Sequence, residues 1–336
     1  MDKVLTISVA AYKVENYIET LLDSIIEADR QSEIEVLVIN DGSTDKTVEI
    51  AGRYEAGYPD TIRVIDKENG GHGSTVNRGI EEAKGKYFKT IDGDDWVEPE
   101  GLRKLVDHLK SSDADMVLTD YRECYTETGT TKDIKREKTR QAIPQGETKD
   151  WTKTADKCER IQMHMVSFKT AILRENNIRL DEHCFYVDLE YVCFTLPYIK
   201  TVEYPDIMVY QYRLGRPGQS MTSESLRKNY EQHIRVNLAI IESYTHISDD
   251  IPAVRRHIEE LLAEHTLLTY RILLSFGYSK DKGERIKEVD TALQKGCPAA
   301  YEAITDKRIA LFRKKQYNNY RTVWLLRRFD AVKEHI

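Results

Sequence analysis

Residues 1–120 alternate between short apolar runs and helically spaced apolar stripes, and few folds accept that pattern. Residues 4–11, 34–39, 62–65, 87–91 and 115–119 read as strands. Between the first two, Ile18, Leu21, Leu22, Ile25 and Ile26 recur at helical spacing and form one stripe. The run IEVLVI (34–39) suits a strand covered on both faces. The turn NDGSTD that follows can cap a helix reaching to near Tyr54. A third helix carries Val76, Ile80 and Ala83 and stops at Gly85, a good residue for a helix end. Pro99 suits the first turn of a fourth helix, which bears Leu102, Leu105, Val106 and Leu109. The expectation is an α/β fold, a Rossmann-like and mostly parallel doubly wound sheet flanked by helices.

The pattern then changes twice. Residues 123–151 are polar, and ETGTTKDIKREKTRQ has no apolar period, so a flexible loop or an excursion over a site is expected. Apolar order resumes at 164–172 and in CFYVDLEYVCF. Beyond residue 223 the spacing is helical: Ile234, Leu238, Ile241 and Tyr244 fit one helix, and Ile258, Leu261, Leu262, Leu268 and Ile272 a second. A chain of 336 residues is long enough for two domains, read here as 1–222 and a C-terminal helical subdomain at 223–336.

Bulk charge narrows the partners. The net charge of −7 argues against a general nucleic-acid binder, which needs a basic field. The five cysteines contain no CxxC pair, so neither a zinc site nor a disulfide framework is indicated, and reduced thiols in a cytoplasmic protein are expected. The N-terminus lacks a signal-peptide pattern, and no apolar run approaches the roughly 20 residues that span a bilayer.

Chemistry concentrates where the strands end. KTIDGDDWVEP (89–99) sets Asp92, Asp94 and Asp95 around one glycine. Three carboxylates so close repel one another, which favours a hard divalent cation, Mn²⁺ or Mg²⁺, although Asp also favours turns for local reasons. In an open parallel sheet, ligands bind outside the carboxyl ends of the strands, where NDGSTD and the segment from Ala10 to Tyr12 also lie. Glycines, Ser74 and Thr75 in NGGHGSTVNRG precede a helix, where free backbone donors attract anions; an ordinary capped loop has the same composition. Val76 stands where a dinucleotide fingerprint wants its last glycine, and GIEEAKGK has the wrong spacing for a P-loop.

The ordered set SVAAYKVENYIETLLDSI, EVLVINDGSTDKT, ENGGHGSTVNRGIEEAKGKYFKTIDGDDWVEP and FYVDLEY resembles family 2 glycosyltransferases of the GT-A fold. The resemblance is dense over residues 1–120 and thinner to residue 222. It implies inverting transfer from a nucleotide-diphosphate sugar, with UDP-sugar as the expected donor, to an acceptor hydroxyl. By position, Tyr12 would stack on the base, Asp41 would hydrogen-bond it, and Ala10, Asn69 and Arg78 would approach the nucleotide. Asp92 and Asp94 fall on the metal-binding DxD motif with Asp95 beside them, and Asp188 matches the general base. Val187 stands where the family has Glu, and Ala10 where proline is common. His72 and His183 are candidate sugar or acceptor contacts, with solvated or packing roles as the alternative; the same packing role is expected of His164.

YRLGRPGQSMT (212–222) resembles the family segment that closes over the donor, and Arg213 or Arg216 would neutralise phosphate there. DKRIALFRKKQYNNYRTVWLLRRFDAVK combines basic and aromatic residues, suiting either docking at the inner face of a membrane or packing on the subdomain. The expected role is synthesis of a surface polysaccharide or glycoconjugate on a glycan or lipid-linked acceptor. A sugar nucleotidyltransferase and a non-catalytic nucleotide-sugar-binding protein are the rival readings.

Overall fold

A computed structural model describes residues 3–216, 219–220, 222–276 and 280–317. Its backbone falls into two compact units, Met1–Pro217 and Gly218–Ile336.

The strands of the first unit are β1 (Leu5–Ala11), β2 (Ile34–Asp41), β3 (Ile62–Lys67), β4 (Tyr87–Asp92), β5 (Trp96–Val97), β6 (Met116–Leu118), β7 (Asp120–Tyr125), β8 (Thr130–Ile134), β9 (Lys149–Asp150), β10 (Val166–Lys169), β11 (Thr201–Glu203) and β12 (Met208–Leu214). Its helices are α1 (Ile18–Ile26), α2 (Thr47–Gly57), α3 (His72–Glu82), α4 (Pro99–Ser111), α5 (Glu137–Ala142), α6 (Trp151–Thr154), α7 (Thr170–Glu175) and α8 (Asp188–Thr195). Eight strands form one sheet in the order β3-β2-β1-β4-β10-β6-β11-β9. The pairs of β1 with β2 and β4, and of β2 with β3, are parallel, whereas β10 runs antiparallel to β4 and β6. The chain order reverses about β1, so the crevice between the carboxyl ends of β1 and β4 is the switch point where ligands bind. Ala10 lies opposite both Ile39 and Asp92 at that edge.

Burial explains why this sheet forms. Leu5, Ile7, Val9, Val36, Leu37, Val38, Ile39, Phe88 and Ile91 are all fully buried. Each such side chain contributes about 1.5–3 kcal/mol relative to exposure. On α1, Ile18, Leu21, Leu22 and Ile25 of the stripe are wholly enclosed, while Ile26 at its margin is half-buried. Glu98 caps α4 with its side chain and Pro99 follows in the first turn.

A second sheet, β5-β12-β7-β8, corrects the expectation for residues 123–151. The hairpin of β7 and β8 sits there, and α5, β9 and the start of α6 follow. Four of the five β8 residues are exposed at the sheet's edge, so no apolar alternation marks the strand. Its partner β7 pairs with β12, which comes some 80 residues later in the chain.

The second unit comprises α9 (Ser223–Lys228), α10 (Tyr230–Tyr244), α11 (Pro252–Ser275), α12 (Lys280–Gly296), α13 (Pro298–Ala303) and α14 (Lys307–Lys314). Ile234, Ile241, Ile258, Leu261, Leu262 and Ile272 are buried. Leu238 and Leu268 are only half-buried, so the helical period was sound while its buried face was drawn slightly too wide. Asn237 on α10 donates to Thr269 Oγ1 (2.8 Å) and accepts from Thr266 Oγ1 (2.6 Å), which fixes the register of α10 on α11.

The basic aromatic C-terminal stretch divides in two. Phe312 is fully buried, and Arg313 forks onto the buried Asp290, with Nη2 to Oδ1 at 2.6 Å and Nε to Oδ2 at 2.9 Å. Tyr270 (2.8 Å) and Tyr317 (2.6 Å) donate to the same carboxylate. These residues are therefore packing groups, which removes them from the membrane-docking reading. Tyr320, Arg321, Trp324, Arg327, Arg328 and Phe329 lie outside the described residues, as do Pro217, Gly218 and Met221.

Candidate active site at the carboxyl edge of the sheet

The strand β4 delivers Asp92 to the rim, and Gly93 turns the chain by donating its N–H to the carbonyl of Ala10 (2.9 Å). Asp95 N–H returns to the carbonyl of Asp92 (3.0 Å), which closes a tight loop of three acids. Their carboxylates diverge. Asp95 is almost wholly buried, accepting from Tyr210 Oη (2.6 Å) and from the backbone N–H of Arg213 (2.7 Å). Asp94 pairs with the Arg216 guanidinium, and its carbonyl accepts from Arg213 Nε (2.7 Å). Asp92 meets His72 Nε2 at 3.0 Å.

The charges are tuned accordingly. Burial raises the Asp95 carboxyl well above its usual range, with Asp94 and Asp92 adding to the effect. Burial and then Asp92 also raise Asp94, against the pull of Arg216. For Asp92, burial works upward, but the adjacent His72 outweighs it and holds this carboxyl low. Burial opposes charge on His72 in turn, yet Asp92, Asp188 and Asp94 together raise its pKa. The His72 ring therefore sits in the field of both the acid cluster and Asp188. Burial likewise raises Asp188, against Arg160 and His72.

His72 reaches that position because α3 begins at it. Gly71 adopts φ 82°, a left-handed conformation that glycine takes without strain. A Cβ on Gly73 would lie 2.1 Å from the carbonyl oxygen of Asp181, so α3 packs its first turn directly on the segment that leads to Asp188. His183 donates its backbone N–H to the Gly70 carbonyl, and both His183 (φ 54°) and Tyr186 (φ 69°) are left-handed. The peptide segment of His183 thus joins the glycine loop to the base, while its side chain is exposed. Glu190 is fully buried and accepts from Asp181 N–H (2.9 Å). Val187, in the place of the family's Glu, is fully buried as well.

Two of the expected nucleotide contacts have partners within the protein. The Asp41 carboxylate is turned onto the glycine loop: Oδ1 takes Gly70 N–H and Lys67 Nζ, and Oδ2 takes Gly71 N–H, each at 2.8 Å. Buried to 2% exposure, it organises the loop. Arg78 lies one and a half turns into α3 and pairs with Glu82 (2.6 Å), which also holds Arg63 (2.7 Å). Of the remaining residues, Tyr12 follows β1 at 47% exposure with Lys13 Nζ over its ring, open for stacking. Asn69 is exposed and donates to the Asp41 carbonyl (2.9 Å). Arg213 lies over the rings of Trp96 (4.5 Å) and Tyr17 (5.0 Å), so Arg213 and Arg216 are both gathered at the acid loop.

Sequence reasoning missed a layer beneath the acids. His164 is buried, stacks near Tyr212 (4.5 Å) and Tyr210 (4.6 Å), and offers a ring nitrogen within 4.8 Å of carboxylate oxygens of Asp92 and Asp95. Burial lowers its pKa to about 4, so the ring is neutral near pH 7. Two carboxylates and a neutral imidazole at this spacing fit Mn²⁺ or Mg²⁺. The visible signal was the alternation in VYQYR, which sends Tyr210 and Tyr212 to one face of β12.

With the geometry in hand, residues 6–179 match the model of Glycosyl transferase family 2, slightly more than half of the chain. The chain belongs to this family. It is 29% identical over 221 residues to the Bacillus subtilis (strain 168) protein EpsH, named as a glycosyltransferase; the match covers 62% of this chain and 60% of EpsH. It is 28% identical to the uncharacterized glycosyltransferase YibD of Escherichia coli (strain K12), covering 68% of this chain and 67% of that one. The chain thus spans about three fifths of the length of EpsH. Staphylococcus aureus TarS 1–349, solved with UDP-GlcNAc, superposes with a TM-score of 0.69 at 19% identity, covering 97% of this chain and 91% of that one. The mannosyltransferase PcManGT of Pyrobaculum calidifontis, solved with GDP-Man and Mn²⁺, gives 0.53 at 17% identity, covering 99% and 87%. The last two likenesses establish a shared fold, the α/β glycosyltransferase architecture with added C-terminal helices. All five cysteines are buried and free, and no helix among the described residues is long and apolar enough to cross a membrane.

Proposed function

We propose that this family 2 glycosyltransferase is metal-dependent and inverting, and that it moves a sugar from a UDP-sugar to an acceptor hydroxyl. The observation that carries the reading is one histidine at the switch point that meets Asp92 of the acid loop at 3.0 Å and lies within the electrostatic reach of Asp188. A cation bound by the acid loop would stabilise, by several kcal/mol, the charge that builds on a leaving diphosphate.

The chain's own residues supply the remainder. Tyr12 stacks on the base, and Asn69 and the peptide groups near Ala10 line the nucleotide. Asp41 holds the glycine loop in shape. Arg213 and Arg216 meet phosphate charge when the segment they share turns from the acids to the donor. Asp188 accepts the proton of the acceptor hydroxyl, and its burial makes it a stronger base than an ordinary carboxylate. A single displacement needs one such base, and inversion follows from attack on the face opposite the diphosphate. The UDP preference is supported by TarS, solved with UDP-GlcNAc. A glycan or lipid-linked acceptor and a role in surface polysaccharide or glycoconjugate synthesis at the cytoplasmic face complete the reading.

The test is UDP release from a panel of UDP-sugars, with Mn²⁺, with Mg²⁺ and with EDTA, in wild type and Asp188→Asn. Transfer that needs the metal and is lost in Asp188→Asn is the expected result. Donor binding without release for any acceptor would overturn it.

A further inference from the structure

Lys89 is an expensive residue. It lies on β4 three positions before Asp92, is 0% exposed, and has no carboxylate partner among the described residues. A buried ammonium without a counter-charge costs stability, and a well-packed apolar side chain would avoid that cost. Its donors are spent on one short segment instead: Nζ reaches the carbonyl of His164 at 2.8 Å and that of Val166 at 3.3 Å.

That segment carries the imidazole beneath the acids. His164 is 92% buried, being 8% exposed, and its Nδ1 has no hydrogen-bond partner. The donor atoms of Asp92, Asp95 and His164 all lie within 4.8 Å of one another. Opposite ligands of one Mn²⁺ or Mg²⁺ are separated by about 4.2 Å or slightly more, so small adjustments would close the set on one ion. Asp94, beside Asp95 in sequence, is paired with Arg216 and is not one of the three.

We propose that Lys89 is a positioning residue that holds His164 beside Asp92 and Asp95 as a nitrogen donor to the divalent cation. The inference rests on the metal-dependent reading above and adds to it a ligand outside the aspartate motif. It also accounts for the buried lysine, whose two hydrogen bonds hold the carbonyl of His164 itself and that of Val166 two residues on.

The test is Mn²⁺ titration of the metal-stripped full chain in the presence of UDP, read by electron paramagnetic resonance, with the ¹⁴N coupling of bound Mn²⁺ read by spin-echo modulation. The wild type should show one coupled nitrogen, and His164→Gln should lose it together with about tenfold in Mn²⁺ affinity. Lys89→Met should lose about tenfold in affinity while its Tm stays equal or rises, because the unpaired charge is gone. A fall in Tm alongside affinity would mark Lys89 as a structural prop and overturn its positioning role. Mn²⁺ bound without nitrogen coupling in the wild type overturns the inference and leaves the metal-dependent reading standing. Failure of the wild type to bind Mn²⁺ with UDP present overturns both. Should Lys89→Met not fold, the coupling and affinity of His164→Gln still settle the ligand.

Discussion

Asp188 shows how burial alters the chemistry of a side chain. Asp188 opens α8, where the helix dipole favours its anion, yet burial wins and its pKa is raised. A base works only when deprotonated, so kcat/KM should fall as pH drops through this raised value, above the usual carboxylate range. Asp188→Asn should cost about 10²–10⁴-fold in kcat while leaving the affinity for UDP intact. A pH profile that is flat down to the ordinary carboxylate range would contradict the assignment. Gly73 is the second decisive position, because the clash distance of 2.1 Å is to backbone and cannot be relieved by a rotamer. Gly73→Ala should destabilise the chain by at least about 2 kcal/mol in urea unfolding, since α3 and the 181–183 segment must separate. An unchanged midpoint would show that the contact is slack.

At the scale of elements, α10 carries a titratable group in its packed face. His233 is 1% exposed, and burial lowers its pKa from the usual 6.5 to about 4. Between those values the unfolded chain binds the extra proton, so stability rises with pH across the window and is lost as pH falls from 6.5 to 4. The full effect is on the order of 3 kcal/mol. Chemical unfolding followed at pH 7 and pH 5 should therefore show a larger loss for wild type than for His233→Met; equal losses would count against it. The second packed element is α14. Arg313→Ala leaves Asp290, at 0% exposure, with a buried charge served among the described residues by the hydroxyls of Tyr270 and Tyr317, and should cost about 3 kcal/mol or more. Thermal unfolding of that variant is the measurement, and a wild-type Tm would refute the estimate.

For the molecule as a whole, the position of α14 determines where membrane contact can be tested. Removing all residues after 306 strips Arg313 and Phe312 from the helical unit and exposes its core, so any lost lipid binding would be confounded with unfolding. Ending the chain after Tyr317 keeps those contacts. If residues 318–336 dock on the membrane, that truncation should lower co-sedimentation with anionic vesicles, with Tm as the control for folding; undiminished co-sedimentation would dismiss the idea. By itself the sequence determined the parallel core and the switch point, and it set Asp92, Asp94 and Asp95 at the end of β4, because period-two and period-3.6 burial and loop-borne acids are local signals. Only the tertiary structure decided that β8 is a strand, that Arg78 stays with Glu82 and Asp41 with its glycine loop, and that Lys89 and His164 lie under the acids. Those outcomes depend on which partner lies nearest in space, and a pairing across 75 residues, such as Lys89 with His164, leaves no periodic mark on either segment.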